Sequence, residues 1–294
     1  MNIANFKIKP NAKVKLSKFP TGSGSKKIDK EAFKASLQKD IDEISDYQYK
    51  LYAEDRQSLL IILQGMDASG KDSTIKHIMN GVNPQGVIVH SFKHPSTQEL
   101  EHDYLWRHIQ KLPEHGHITI FNRSHYENVL IAKVHPEIVL AERLPGVFTK
   151  ANIDEKFWKN RYKQIVNFEK NIIQNGTHVL KFFLHLSKKE QAKRFIERID
   201  NKEKHWKFSP SDLTERGFWD DYQSAYEQAL KNTSTKKSPW YIIPADDKDY
   251  THQLIGKIIL DKLKEINPKF PAVSTADADS MAVAKKSLLK ESGK

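Results

Sequence analysis

The segment Gly65–Thr74, GMDASGKDST, follows the unbroken apolar run Leu59-Leu60-Ile61-Ile62-Leu63 with only Gln64 between them. Such a run, then a glycine-framed loop, then Ile75, Ile78 and Met79 at helical spacing, reads as a buried strand, a turn and a helix. The spacing Gly65…Gly70-Lys71 fits G-x-x-x-x-G-K, a loop whose backbone N–H groups wrap phosphate oxygens. Two glycines permit close backbone approach, Lys71 adds a cation, and the helix N-terminus adds its dipole. The expected phosphate-binding residues are therefore Gly65, Ala68, Ser69, Gly70, Lys71, Asp72, Ser73 and Thr74. Two departures constrain the chemistry further. The residue after Lys71 is Asp72 in place of Ser or Thr, and the loop itself carries Asp67. A carboxylate beside a phosphate cradle repels phosphate unless a divalent cation lies between them, so Asp67 is read as metal-directed.

Strands are expected at Leu59–Gln64, Gly86–Phe92, Ile118–Phe121, Val179–Leu186 and Tyr241–Ile243. Helical patterns separate them: about 30–53, a start at Ser96 running to Ile109, 154–174, one opened by a Ser187…Glu190 capping box, 212–230 and 250–266. Apolar strands without alternation, separated by helices, indicate a parallel sheet covered on both faces. The expected fold class is α/β: one three-layer P-loop domain on a parallel five-stranded sheet, with its ligand at the carboxyl ends of the strands. Its expected limits are 30–266, between a basic, turn-rich arm (1–29) and a polar, flexible tail (267–294).

The chain has 294 residues and a net charge of +11, which calls for an anionic partner: nucleotide, polyphosphate, nucleic acid or membrane surface. Cys is absent, which excludes disulfides and thiol chemistry. The 13 His residues include no H-E-x-x-H or comparable zinc pattern. No apolar run approaches the roughly 18 residues of a membrane span, and the N-terminus lacks a signal-peptide core. The expected location is the cytoplasm, with no membrane partner.

The third strand runs into Asn122-Arg123-Ser124-His125-Tyr126-Glu127. Phosphate-loop enzymes usually place a metal-directed Asp at this strand end. Asn122 is neutral, so Asp67 and Glu127 are the metal candidates, one on each lip of the cleft. Arg123 is placed to fork onto phosphate oxygens, and Lys93, after the second strand, projects from the same sheet edge. Lys188, Lys189, Lys193, Arg194, Arg198, Lys202, Lys204 and Lys207 fall within two dozen residues against four acids. Arg194 and Arg198, four apart, share a helix face. In nucleotide kinases the helix and loop at this point form a lid, here about 188–211, whose arginines close over transferring phosphates. Trp206, Phe208 and Trp219 are expected to pack rather than to stack on bases. An ATP-dependent nucleotide kinase would carry the same loop and lid. A nucleic-acid-binding role is disfavoured because the basic residues do not alternate with aromatics in a known module.

GMDASGKDS, SFKHPS, FNRSHYENVL and the Trp-containing lid together resemble the polyphosphate kinase 2 family, in the same order over roughly 30–265. The resemblance implies a thymidylate-kinase-like fold and Mg²⁺-dependent phosphoryl transfer between inorganic polyphosphate and nucleotides, with Mn²⁺ able to substitute. It maps the family's loop aspartate onto Asp67, its loop lysine onto Lys71 and its post-strand arginine onto Arg123. Members restricted to nucleoside diphosphates tend to read D-R-S-W-Y-N at the strand end. The N-R-S-H-Y-E here resembles the third class, which accepts both mono- and diphosphates. The expected catalytic set is Asp67, Lys71, Arg123 and Glu127, with Asp67 and Glu127 holding Mg²⁺. The expected partners are polyphosphate and AMP or ADP, without nucleic acid, in a homo-oligomer (a dimer or tetramer).

Overall fold

The computed structural model describes residues 2–24 and 30–292. Met1, the stretch 25–29 at the end of the expected arm, which includes Lys26 and Lys27, and the last two tail residues lie outside the described residues.

Helix α1 (Lys30–Glu54) leads into β1 (Ser58–Gly65), the phosphate loop and α2 (Lys71–Ile78). Strand β2 (Val87–Ser91) is followed by the short helices α3 (Thr97–Leu100) and α4 (Trp106–Ile109) and by β3 (Ile118–Asn122). After α5 (Ile131–Val134) and α6 (Glu137–Ala141), the long α7 (Glu155–Gln174) precedes β4 (Thr177–His185). Helices α8 (Lys188–Asp200), α9 (Pro210–Gly217) and α10 (Trp219–Thr233) lead to β5 (Trp240–Pro244), then α11 (Lys248–Ile266) and α12 (Thr275–Glu291).

The five strands are all parallel, in the order β2-β3-β1-β4-β5. This is the expected three-layer α/β sheet. Strand β1 lies at its centre, and its continuous apolar run follows from burial on both faces. Leu59, Ile61 and Leu63 enter a core with Ile44 and Leu51 of α1 and the apolar stripe of α11. Leu60 and Ile62 enter the opposite core with Ile165, Ile172, Ala225 and Leu230 of α7 and α10. Because the strands are parallel, β1, β3 and β4 all release their C-terminal loops at one edge, where the cleft opens.

The arm, over residues 2–24, runs along β5. Lys7 pairs antiparallel with Tyr241, the Ile8 N–H donates to the Trp240 carbonyl at 2.8 Å, and Leu16 is buried. Three local expectations are corrected. The helix from Ser96 stops at Leu100, because Asp103 takes the Leu105 N–H at 2.8 Å and competes with the helical ladder. The helix expected over 212–230 breaks between Gly217 and Trp219 into α9 and α10. Ser187 caps the Glu190 N–H at 3.1 Å, but the Glu190 carboxylate turns to Arg194 Nε at 3.0 Å, so the capping box forms by half. The tail is partly regular: α12 is capped by Ser274 and buries none of its residues.

Candidate active site

The phosphate loop takes its shape from two glycines. A Cβ on Gly65 would lie 2.7 Å from Ser69 Oγ and 2.9 Å from the Leu184 carbonyl of β4, so no larger residue fits that crossing. Gly70 sits at φ +98°, a conformation that favours glycine, and starts α2. Between them, the Ser69 N–H returns to the Met66 carbonyl at 3.1 Å, closing the turn. Lys71 folds back over this loop, its Nζ donating to the Gly65 carbonyl at 2.8 Å and the Met66 carbonyl at 3.3 Å. Burial, with the Arg123 charge adding to it, brings the Lys71 ammonium down to about 8, against the opposing pull of Asp67, Glu127 and Asp72.

Arg123 leaves β3 in the left-handed region, φ +62°, which aims its guanidinium back over the loop. Its Nη2 lies 2.8 Å from Asp67 Oδ1. The two side chains remain 41% and 36% exposed, so both can still reach a ligand. Burial pushes the Asp67 carboxyl up, but Lys71 and Arg123 together outweigh it and hold the group below the usual carboxylate range.

These groups open onto a cavity of about 630 Å³. Eight cations line it: Lys71, Lys93, Arg123, Arg194, Arg198, Lys204, Lys207 and Lys248. Four carboxylates oppose them: Asp67, Asp72, Glu197 and Asp212. The expected loop residues from Ala68 to Ser73 line the same cavity. Gly65 and Thr74 lie behind it, Thr74 buried with its hydroxyl unpartnered. Asp72 is the exposed end of a contact that links the acid after Lys71 to the neutral strand end. Asn122 Nδ2 donates to Asp72 Oδ1 at 2.7 Å, so the acid missing from the strand end stands on the loop instead.

Two arginines expected to act alike do different things. Arg194 is buried and spends its donors on the Ala68 carbonyl (2.9 Å), the Ala245 carbonyl (2.7 Å), the Asp246 carbonyl (3.1 Å) and Glu190. It is a strut between the phosphate loop and the end of β5. Arg198 makes only a long contact to Asp212, at 3.4 Å, and faces the cavity. Trp219 packs in the core and Phe208 is half-buried, but Trp206 is 78% exposed at the cavity wall and does not pack. Sequence reasoning passed over Lys248, Asp212 and the orientation of Trp206. Lys248, the first residue of α11, was detectable because that helix also starts at the carboxyl edge of the sheet.

The structure does not bring Asp67 and Glu127 into one cavity. Glu127 opens onto a second, about 220 Å³, which shares only Phe92, Lys93 and Arg123 with the first. Rings and aliphatic groups dominate this one, among them Phe92, Tyr104, His108, Ile131 and Ile138. Arg107 lines it too, tying the Lys93 carbonyl (2.7 Å) to Glu99 (3.2 Å). With its amide nitrogen turned to Glu127 Oε1 at 2.9 Å, Gln64 of β1 also accepts from Ser124 Oγ at 3.0 Å. Burial raises the Glu127 carboxyl above its ordinary value despite Arg123 and Lys71.

A phosphate loop at the edge of a parallel sheet, a buried lysine folded on it and a strongly cationic cleft define a P-loop phosphotransferase. Comparison with known proteins narrows the class. A model of the polyphosphate kinase 2 family matches residues 27–271. The chain is 45% identical over 285 residues to the ADP-polyphosphate phosphotransferase of Rhodopseudomonas palustris, covering 97% of this chain and 98% of that one. It is 41% identical over 272 residues to the AMP/ADP-polyphosphate phosphotransferase of Meiothermus ruber, covering 92% and 96%. The crystal structure of polyphosphate kinase 2 from Arthrobacter aurescens TC1 superposes with a TM-score of 0.83 at 34% identity, over 93% of each chain. The chain belongs to the polyphosphate kinase 2 family.

Proposed function

We propose that this enzyme transfers phosphoryl groups from inorganic polyphosphate to AMP and ADP, reversibly and with Mg²⁺ or Mn²⁺, as a cytoplasmic homo-oligomer that binds neither nucleic acid nor membrane. The observation that carries the reading is the pair of adjoining cavities meeting at Arg123 and Lys93. A flexible polyanion calls for a long cationic groove, as the larger cavity offers. A nucleotide calls for a smaller ring-lined pocket, as its neighbour offers. The junction is where donor and acceptor phosphates would meet.

In the forward direction an acceptor phosphate oxygen bonds to the terminal phosphorus of the chain. The bridging P–O bond breaks, and the chain leaves one unit shorter. Such transfer needs positioning and charge neutralisation more than covalent chemistry. Lys71 and Arg123 neutralise the phosphoryl group, and Arg198 closes from the lid. Among the described residues no cluster of three His or acidic side chains forms a complete metal cage. Mg²⁺ takes one or two carboxylates and fills its shell with phosphate oxygens and water. Asp67, ionised and open to the cleft, is the residue that would hold it, and Glu127 would reach it only from the acceptor side. The bound cation would draw charge from the bridging oxygens during transfer.

Mono- and diphosphate acceptors are assigned on the Asn122…Glu127 segment, with Glu127 inside the acceptor pocket. The test is a transfer assay with long-chain polyphosphate, Mg²⁺ and either AMP or ADP, read by nucleotide chromatography. Formation of ATP from ADP, and of ADP and ATP from AMP, is the expected outcome. Product from ADP alone removes the monophosphate acceptor, and transfer from ATP but not polyphosphate overturns the reading.

A further inference from the structure

Beneath the strand-end turn lies a cluster of charge that the transfer chemistry does not use. Lys181 stands in the middle of β4, between Ile62 of β1 and Trp240 of β5, and is fully buried. Its Nζ donates to Glu169 Oε2 of α7 at 2.6 Å, to the Thr233 carbonyl at 2.8 Å and to the Tyr126 hydroxyl at 2.9 Å. Glu169, also buried, accepts from the Tyr126 hydroxyl at 2.6 Å and from Ser238 Oγ at 2.9 Å. His125 is buried beside them, its Nε2 3.7 Å from Glu169 Oε1. Glu169 of α7 and Lys181 of β4 thus converge on one residue, Tyr126, which lies between Arg123 and the acceptor-side Glu127.

The turn is held at two points. Ser124 is tied to Gln64 of β1, and its Oγ also takes the Tyr126 N–H at 3.2 Å. Tyr126 is tied to Glu169 and Lys181. Between β3 and these anchors Arg123 adopts a left-handed backbone, a conformation that persists in a non-glycine residue only where its surroundings over-determine it. Buried ion pairs are weak sources of stability, because desolvation consumes most of the Coulomb gain and apolar replacements are often neutral or stabilising. A lysine in a core strand therefore asks for another explanation.

We propose that Glu169, Lys181 and Tyr126 are positioning residues that fix the Arg123–Glu127 turn at the junction of the two cavities. The proposal rests on the phosphoryl-transfer reading for its kinetic consequence but not for its structural one. The experiment uses Tyr126→Phe, which cuts the tether and leaves Lys181 paired with Glu169, and the double variant Lys181→Met/Glu169→Leu, which removes the charge. Amide exchange in the 122–130 peptide and transfer kinetics are measured on the full chain. Tyr126→Phe is expected to accelerate exchange in that peptide at least tenfold, with other peptides unchanged. It should lower kcat at least tenfold while the KM for polyphosphate stays within threefold. The double variant should melt no lower than wild type and lose kcat to the same degree, and combining all three changes should add no further loss. Unchanged exchange in 122–130, or a kcat within twofold of wild type in folded Tyr126→Phe, overturns the proposal. If wild type transfers nothing from polyphosphate, the activity reading fails, and the exchange measurement still decides the tether.

Discussion

Two lysine–carboxylate clusters sit on neighbouring central strands and use charge in opposite ways. At the end of β1, Lys71, Asp67 and Arg123 line an open cleft, where a phosphate chain would compete for their contacts. In the middle of β4, Lys181 and Glu169 are 0% and 1% exposed, and their partners are all internal. The first cluster can reorganise around a ligand and should govern turnover. The second holds the strand-end turn in place, so stranding one of its charges should be felt first in the fold, and removing both should be felt only through the turn.

The largest effect separating them is expected at the loop. Lys71→Ala and Asp67→Ala should each lower kcat by at least about 10²-fold, the scale of one lost charge-stabilising contact in a transition state. Their melting temperatures should stay within about 4 °C of wild type, because a change near 1 kcal/mol moves a domain this size by only that much. Activity within tenfold of wild type in either variant would break the assignment of the loop. Next comes Glu169→Ala alone, which strands the Lys181 charge in the core. Removing one partner of a buried pair costs about 3–5 kcal/mol. At about 2–4 °C per kcal/mol, a melt roughly 10 °C lower is expected, seen by calorimetry. A melt equal to that of Asp67→Ala would show that the two clusters do not differ as described.

The sheet was legible because β1, β3, β4 and β5 are buried on both faces and read as plain apolar runs. The loop was legible because Gly65 stands where a side chain does not fit and Gly70 where a left-handed backbone favours glycine. What stayed hidden depends on partners distant in the chain. Helical spacing put Arg194 and Arg198 on one face but could not reveal that carbonyls of Ala68 and Ala245 would claim the first. Residue type suggested that Trp206 packs, yet it stays 78% exposed. Asp67 and Glu127 were expected on the two lips of one cleft, but Glu127 lines the adjoining pocket, beyond the left-handed Arg123. Lys181 went unmarked within the strand VLKFFLH, and its partner Glu169 lay on a helix whose buried face also looked ordinary.

The smallest effect sharpens the comparison through pH. In the free protein burial and Arg123 bring Lys71 down to about 8, so its ammonium deprotonates as pH rises through that value. A bound phosphate chain supplies negative charge, favours the ammonium and raises that pKa. The kcat/KM for polyphosphate, which reports the free enzyme, should therefore fall above about pH 8 by up to tenfold per unit. The kcat at saturation should hold to higher pH. Lys71→Arg should be slower but lose that alkaline limb, because a guanidinium stays charged throughout the range. Lys181→Met should keep the limb in place, since its ammonium is locked against Glu169 and never meets the ligand. A limb that survives Lys71→Arg, or moves in Lys181→Met, would assign the titration to another group and merge the roles of the two clusters.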